Sequence, residues 1–473
     1  MSDKINVAVL GCGMMGQEHI SYMGEYKEIN ILFLCDPNQG CADTALSLIK
    51  TEDKPKVYSD EKDLLDHVNE IDLLVIATPN YLHTPQLLRW AKHPISILVE
   101  KPVAISERQV RALKAMSPSF QANIWVAMEY RYIPAIQKLL SLLPNIGAIK
   151  TITIRENRFP FLSKINEWNK DIDKSGDTLV EKCCHFFDLF RLISSAEMNT
   201  CSTKIQRGLL AEHYGYHERF DNPVPIIDGA YVLLDFLQKP KEEEEDTGVG
   251  FDPTIENAHL AETKVQYHED FARDRYRTAS NVSQMQQATM GCLELCMFAD
   301  GSRHQEEIVV TGMKGRLEAY LPENKVFMYE RPTRETWTDL TKPPPTSSIK
   351  ETVIDCSDLK VVYPFADDIP QHSGYHYCST AVEWKYMIDA IKTAHSGGSF
   401  VPHVSLDDGI KAVEMGIRAT ANVSNRDESV DMVAPVIAFT SQSSENLLNL
   451  ALGIVAEKKQ LSTEDLQRGI YFG

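Results

Sequence analysis

The chain has 473 residues, 43% hydrophobic and 24% charged, with 48 Lys+Arg against 67 Asp+Glu and a formal net charge of −19. That length suits two or three domains, and the composition is that of a chain able to bury a core. The acidic balance argues against a nucleic-acid backbone or an anionic membrane as the main partner, since both attract basic patches. No apolar run reaches the roughly 18–20 residues of a membrane span. The opening MSDKINVAVLG runs directly into a strand, without a signal-type segment. Ten cysteines are too sparse for a disulfide scaffold and form no CxxC pair, and adjacent Cys183-Cys184 cannot make an ordinary bridge. A soluble, cytoplasmic protein is the expectation, and the sequons at Asn281 and Asn422 are then chance matches.

Along residues 1–130, short apolar runs at 5–10, 29–36, 71–79, 96–102 and 123–128 suit strands buried on both faces. Helical spacing fills 14–26, 40–50, 60–69 and 84–92 between them, and Ser106-Glu107-Arg108-Gln109 reads as a capping box opening another helix. This alternation predicts an α/β fold, a Rossmann-type doubly wound parallel sheet over 1–130. Beyond about residue 145 the pattern changes. Runs at 149–158, 228–237, 291–299, 306–312 and 316–320 look like strands of a mostly antiparallel sheet, with one helix over 178–193. A C-terminal α+β domain over 131–430 follows from that. Residues 238–290, with the acidic run KPKEEEEDTGVG, read as an insertion, and 340–372, with Pro343-Pro344-Pro345, as surface loop. Helical spacing returns at 378–394, 405–422 and 443–458, the last within a helical extension over 431–473.

Gly11-Cys12-Gly13-Met14-Met15-Gly16 is a GxGxxG that follows the first strand directly and opens a helix. Gly11 can make the tight turn, Gly13 can let a pyrophosphate approach the backbone, and Gly16 can let helix and strand pack closely. Asp36 ends the second strand 20 residues after Gly16, where a carboxylate can accept from the ribose hydroxyls of an adenosine. The same charge would repel a 2′-phosphate, and no Arg follows within several residues, so NAD is favoured over NADP.

Two further features carry chemistry. Glu100-Lys101-Pro102 ends the fourth apolar run, so Lys101 projects into the cleft beyond the carboxyl ends of the strands. A lysine beside a cationic nicotinamide is expected to have a lowered pKa, although a surface lysine at a strand end is the bland alternative. Glu181, His185 and Asp188 lie at i, i+4 and i+7, on one face of the predicted helix, with Phe186, Phe187, Phe190 and Ile193 turned to the core. A carboxylate one turn before a histidine can orient it as a general base, whereas a core histidine satisfied by its neighbour needs no function. No metal site is expected: Cys183 and Cys184 cannot comfortably share a zinc, and His213/His217 and His372/His376 lack a clear third ligand.

With these residues in hand, the chain resembles the glucose–fructose oxidoreductase/inositol dehydrogenase (Gfo/Idh/MocA) family. The matches run in order: GCGMMG at 11–16, ATPNYLH at 77–83, EKP at 100–102, EYRYIPA at 129–135, Trp168, SGDTLVEKCCHFFD at 175–188, IVVTGMKGRLEA at 308–319 and SLDDGIKAVEMG at 405–416. The resemblance implies a Rossmann domain followed by an open-sheet domain, and NAD(P)-dependent chemistry on sugars or polyols. It makes Lys101 and His185 the catalytic pair. Glu181 stands where most members have Asp, and Cys183 where many have Gly. Thr78, Pro79, Asn80, His83 and Glu100 fall on the cofactor side, and Tyr130, Arg131, Trp168 and Asp188 on the substrate side. The expected activity is hydride transfer between NAD and a secondary alcohol of a sugar or cyclic polyol, in a homodimer or homotetramer. A redox-silent NAD-binding regulator is the rival, though it would be free to lose Lys101 and His185. A third reading is a redox-neutral glycoside-modifying enzyme that oxidises its substrate transiently.

Overall fold

The computed structural model of the chain describes residues 4–210, 224–236, 289–333, 335–370 and 377–423. Strands β1 (Ile5–Leu10), β2 (Ile29–Cys35), β3 (Lys56–Tyr58), β4 (Leu73–Ile76), β5 (Ser96–Glu100) and β6 (Ile124–Ala127) form the first sheet. Their order is β3-β2-β1-β4-β5-β6 and every neighbouring pair is parallel. Parallel strands need crossovers, and helices α1 (Met14–Met23), α2 (Gln39–Leu48), α3 (Glu61–Leu65), α4 (Asn80–Trp90), α5 (Glu107–Lys114) and α6 (Pro118–Gln121) supply them. Side chains on both faces of this sheet are buried, which is why its strands read as unbroken apolar runs. The capping box at α5 is only half formed. The Ser106 hydroxyl accepts from the Gln109 amide, but the Gln109 side chain accepts from Ile105 N–H instead of reaching back to Ser106.

After α7 (Pro134–Leu142), β7 (Ile149–Asn157) opens the second sheet, and α8 (Ile172–Ser175), α9 (Thr178–Glu181) and α10 (Cys184–Ser194) follow. The other strands are β8 (Met198–Arg207), β9 (Ile227–Phe236), β10 (Thr289–Cys296), β11 (Glu306–Gly312), β12 (Gly315–Leu321), β13 (Lys325–Glu330) and β14 (Lys350–Asp355). The order is β14-β13-β12-β11-β7-β10-β9-β8, with β7–β10 parallel and the other pairs antiparallel. Inward residues Ile152, Ile154, Val232, Leu234, Leu293, Val310 and Leu317 pack beneath Phe186, Phe187 and Phe190 of α10. Truncating one of these phenylalanines to alanine would cost roughly 3–5 kcal/mol.

Three expectations change. The helix expected over 178–193 is broken at Lys182-Cys183, where Lys182 turns its ammonium inward to Tyr130, Glu156 and Glu306. The loop expected at 340–372 contains β14, an edge strand too polar to give an apolar run. Thr289 and Met290, assigned to the insertion, already belong to β10. The remainder of 238–290, the extension 431–473, the helix at 443–458 and the pairs His213/His217 and His372/His376 lie outside the described residues.

Helix α11 (Ser379–His395) crosses back to the first sheet, where Trp384, Met387, Ile388 and Ile391 pack with Val7, Val9, Leu34, Val75 and Trp125. Helix α12 (Leu406–Ala421) opens with a complete capping box, Ser405 with Asp408, and packs against α10 and α5. Both helices follow β14, and α12 joins the two sheets by packing on α10 of the second and α5 of the first.

Candidate active site

In the first sheet the strand order reverses direction between β1 and β4, so the loops after them part and leave a crevice at their carboxyl ends. Gly11 has φ +96°, and a Cβ there would lie 2.6 Å from the Ala77 carbonyl group. The first glycine is thus required both by backbone conformation and by the close approach of the two loops. At Gly16 a Cβ would sit 2.0 Å from the Gly11 carbonyl oxygen, so α1 can lie this close to its own loop only without a side chain. Gly13 differs: a Cβ there would meet nothing within 4 Å. No neighbour in the protein demands a glycine, and the open space suits a pyrophosphate lying on the backbone. Gly13 is also the N-cap of α1 and offers no side-chain cap to the first-turn N–H groups of Met14, Met15 and Gly16. Asp36 accepts from Cys12 N–H at 2.7 Å and from Asn38 N–H at 2.8 Å, so its carboxylate is held against the glycine loop. Burial raises its pKa against those two hydrogen bonds. These residues fit a dinucleotide.

The opposite wall comes from the loops after β4 and β5. The Thr78 hydroxyl donates to Gln86 at 2.6 Å, and Pro79 caps α4. Asn80 donates to the Ser175 carbonyl at 3.1 Å, tying this wall to the segment before α9. His83 is buried with Nδ1 2.8 Å from the Pro102 carbonyl and Nε2 2.7 Å from that of Thr78. Its ring is a brace between the two loops rather than a surface for a ligand. The Glu100 carboxylate is likewise turned inward, to His19 Nε2 at 2.9 Å and the Lys101 N–H at 3.2 Å.

Lys101 Nζ donates to the Glu181 carbonyl oxygen at 3.2 Å. The expectation of a lowered pKa concerns Lys101 beside a bound cationic nicotinamide; among the protein's own groups the balance runs the other way. Burial pulls it down, but Glu181 foremost, with Glu129 and Glu100, holds it above the ordinary lysine range. The geometry around His185 also departs from the sequence reading. The pause at Lys182-Cys183 takes Glu181 off the helical face it would share with His185, and its carboxylate turns to Lys164 at 3.5 Å. Burial would raise the Glu181 pKa, but Lys101, Lys164, Arg158 and Lys182 together bring it down to about 2. His185 Nε2 instead lies 3.4 Å from Glu129, and its ring stacks on Tyr130 at 4.5 Å. Glu129 was not singled out in the sequence, although it directly precedes Tyr130-Arg131. Its position directly after the apolar run at 123–128, at the carboxyl end of a strand, was the available signal.

Tyr130 accepts from Lys182 at 2.6 Å and donates to Glu306. Arg131 and Asp188 form a buried two-pronged ion pair, both bonds 2.6 Å, and Arg191 adds a second guanidinium 3.6 Å from Asp188. Their polar atoms are spent joining β6 to α10. Trp168 sits on a short turn after two left-handed residues, Asn166 and Glu167, with the Lys164 ammonium 4.5 Å over its ring. Beneath lies a pair the sequence reading missed: Glu156 and Glu306, directly opposite on β7 and β11 and both buried. Lys182 is 3.4 Å from one and 3.5 Å from the other, and Arg158 lies 3.6 Å from Glu156. The period of two that turns Ile152 and Ile154 inward also turns Glu156 inward, and it was legible as an acid on an apolar face. Among the described residues no group of three or more His, Cys, Asp or Glu could hold a metal ion, and no helix is long and apolar enough to cross a membrane.

Residues 5–128 match the model of the family described as "Oxidoreductase family, NAD-binding Rossmann fold" (GFO_IDH_MocA). Glucose-6-phosphate 3-dehydrogenase of Bacillus subtilis is 25% identical over 223 residues, 44% of this chain and 62% of that protein. Inositol 2-dehydrogenase of Rhizobium meliloti is 22% identical over 195 residues, 41% of this chain and 56% of that protein. The chain thus spans less than two thirds of the length of these curated relatives. Among solved structures, levoglucosan dehydrogenase in complex with NADH and levoglucosan superposes with a TM-score of 0.60 at 16% identity, over 89% of this chain and 97% of the other. That likeness extends the shared fold through the second sheet. The family match thus rests on the glycine-loop sheet, residues 5–128, which is similar to the NAD-binding Rossmann fold of the Gfo/Idh/MocA oxidoreductases.

Proposed function

We propose that the protein is an NAD-dependent dehydrogenase that exchanges a hydride with a secondary alcohol of a sugar or cyclic polyol. The observation that carries this reading is the convergence of a lysine and a histidine on one acid beside the dinucleotide crevice. Glu129 lies 3.4 Å from His185 Nε2 and is also among the charges that keep Lys101 protonated. The glycine loop, the first turn of α1 and Asp36 would hold the dinucleotide, and Asp36 with no neighbouring arginine favours NAD over NADP. Bound NAD would supply the hydride acceptor.

The chain's own groups divide the remaining work. Lys101, held cationic, suits stabilising the oxyanion that develops on the alcohol and is poorly suited to removing its proton. His185 then takes that proton, with Glu129 stabilising the imidazolium that forms. Glu181 supports Lys101 through its carbonyl and Lys164 through its carboxylate. Tyr130 supports the His185 ring from one face, and Trp168 with Lys164 offers the substrate an aromatic and cationic rim. Arg131 and Asp188 fix the frame. Exposed Tyr231, Leu233 and Met290 on adjacent strands of the second sheet support a homo-oligomer, which sedimentation would test.

The test is NADH formation by the purified protein with NAD and a panel of sugars, inositols and glycosides, with NADP alongside. A signal that is lost in His185→Ala is the expected result. Product without net NADH would replace this reading with the redox-neutral one. NAD binding by calorimetry with no turnover of any substrate would replace it with the regulator.

A further inference from the structure

Behind Lys101 runs a line of three buried side chains drawn from three distant parts of the chain. Trp384 of α11 places its indole Nε1 3.1 Å from His19 Nδ1, with the two rings edge-on at 77°. His19 Nε2 lies 2.9 Å from one oxygen of Glu100, and the other oxygen accepts from the Lys101 N–H at 3.2 Å. His19, Glu100 and Trp384 are 1%, 4% and 0% exposed, so water does not compete for these bonds. Two further contacts hold α11 here: Tyr26, just beyond α1, donates to the Ala381 carbonyl at 2.7 Å, and Thr380 donates to Glu18 of α1 at 3.0 Å.

The order of donors along this line is fixed by chemistry. An indole N–H can only donate, so His19 Nδ1 must accept. The ring proton then sits on Nε2, which faces Glu100 and donates to it. The other tautomer would set two N–H groups against each other at Trp384 and two lone pairs against each other at Glu100. His19 is on α1 three residues after Gly16, so the line joins the helix of the glycine loop to the strand end that carries Lys101.

We propose that Trp384, His19 and Glu100 form a fixed hydrogen-bond line in which His19 is locked as the Nε2–H tautomer, and that His19 and Trp384 are positioning residues that hold Glu100, and through it Lys101, for hydride transfer. The tautomer half of this inference stands on geometry alone, and the kinetic half rests on the dehydrogenase reading above. The line also accounts for why a carboxylate beside the cofactor crevice is buried rather than open to it. Glu100 keeps its charge there because, although burial works against it, His19, Lys101 and His83 together lower its pKa.

The chemistry of the line supplies its own control. A glutamine at position 19 can copy both roles, its amide oxygen accepting from Trp384 and its amide nitrogen donating to Glu100, without ever carrying a proton to or fro. A leucine can do neither. Histidine-selective long-range ¹H–¹⁵N correlation spectra of the full chain, with the His19 signal identified by its loss in His19→Gln, read the tautomer directly. The expected result is an Nε2-protonated ring in the wild type and a changed His19 signal in Trp384→Phe. In turnover, His19→Leu is expected to lower kcat roughly tenfold, with KM for the alcohol nearly unchanged, while His19→Gln stays within about threefold of wild type. Should His19→Leu fail to fold, Trp384→Phe takes its place in the kinetic arm. A proton on Nδ1 in the wild type, or wild-type kcat in a folded His19→Leu, overturns the proposal. Loss of activity in His19→Gln as complete as in His19→Leu also overturns it, because the ring would then be needed for something other than a fixed connection. If no substrate is turned over at all, the failure belongs to the dehydrogenase reading, and the spectra alone decide this one.

Discussion

The two sheets build their halves of the site by different means. At the first, the cofactor crevice is made largely of backbone: glycines that let the chain turn or approach, a helix end, and one acid bonded to the loop's own N–H. At the second, the floor is made of buried charged side chains, Glu156, Glu306, Lys182 and Glu181, joined by ion pairs to one another and to the half-buried Lys164. Backbone sites depend on residue spacing, which a sequence displays. Charge clusters depend on which side chains meet, which it displays only as a list of candidates. Glu181 and Glu129 mark the division. Both are acids near His185 in space, the one with the suggestive spacing faces a lysine, and the one without it faces the histidine.

Changing those two acids separately breaks that comparison most visibly. His185→Ala is expected to lower kcat by roughly 10²–10⁴-fold, the range for losing a general base. If Glu129 is the acid that supports it, Glu129→Gln lowers kcat about tenfold or more and shifts the lower limb of the kcat–pH profile to more acidic pH, since the imidazolium loses its counter-charge. Glu181→Gln leaves that limb where it is. Steady-state kinetics across pH on the three variants checks this, and a limb that moves with Glu181 instead of Glu129 would restore the spacing argument.

Stability separates the same acids in the opposite sense. Glu181 has its pKa brought from 4.5 to about 2 by four surrounding cations. A carboxylate with a lowered folded-state pKa contributes stability that is fully present above the unfolded value and is lost as pH falls toward the folded one. From the size of that shift, Glu181→Gln should destabilise the protein by about 3 kcal/mol at neutral pH. The penalty should shrink as pH falls through the window between 4.5 and about 2. Chemical denaturation at two pH values measures it. An equal penalty at both would mean that the lost interaction is packing rather than charge.

How much of this was legible follows the same line. The parallel, doubly wound sheet and the turn of the glycine loop were readable, because each is dictated locally: apolar runs between turn residues, and a φ that only glycine tolerates, whereas β3, three residues long, left no apolar run to read. Lys101 was readable as a residue but not as a charge state, since the three carboxylates that hold it protonated lie at positions 100, 129 and 181. The helix around His185 was readable as apolar periodicity, and Phe186, Phe187, Phe190 and Ile193 are buried as expected. Its pause at Lys182 was not, because the acids that Lys182 meets, Glu156 and Glu306, lie far off in sequence on two strands of the second sheet. Trp384 and His19, separated by 365 residues, share no local pattern at all.

A smaller effect sharpens the backbone side of the comparison. Gly11→Ala meets both a positive φ and the Ala77 backbone, so it should cost stability whether or not a ligand is present. Gly13→Ala meets nothing within 4 Å and should leave the melting temperature of the free protein nearly unchanged. If the space above Gly13 is where a pyrophosphate lies, the same methyl weakens NAD binding by about tenfold, or about 1.4 kcal/mol. Thermal melts with and without NAD, paired with calorimetric titration, separate the two. Unaltered NAD affinity in Gly13→Ala would remove the main reason for placing the dinucleotide on this loop.

A last variant tests whether the charge cluster beneath Tyr130 is costly to maintain. Burial, with Glu306 opposite, pushes the Glu156 pKa from 4.5 up to about 8 against the pull of Lys182 and Arg158. The sign is the reverse of that for Glu181. Below the ordinary value both folded and unfolded chains hold the proton and nothing is lost. As pH rises from 4.5 toward about 8, the unfolded chain ionises freely while the folded one resists, so the fold loses stability across that window. Glu156→Gln keeps the shape and removes the ionisation. It should therefore match the wild type in mild acid and exceed it in mild alkali, by an amount that grows as pH rises from 4.5 toward about 8. Denaturation curves at the two ends of the window read the difference. A glutamine variant less stable than wild type in alkali would mean that Lys182 and Arg158 need the charge, and that the floor of the site is an ion-pair cluster in its working state rather than one holding a proton.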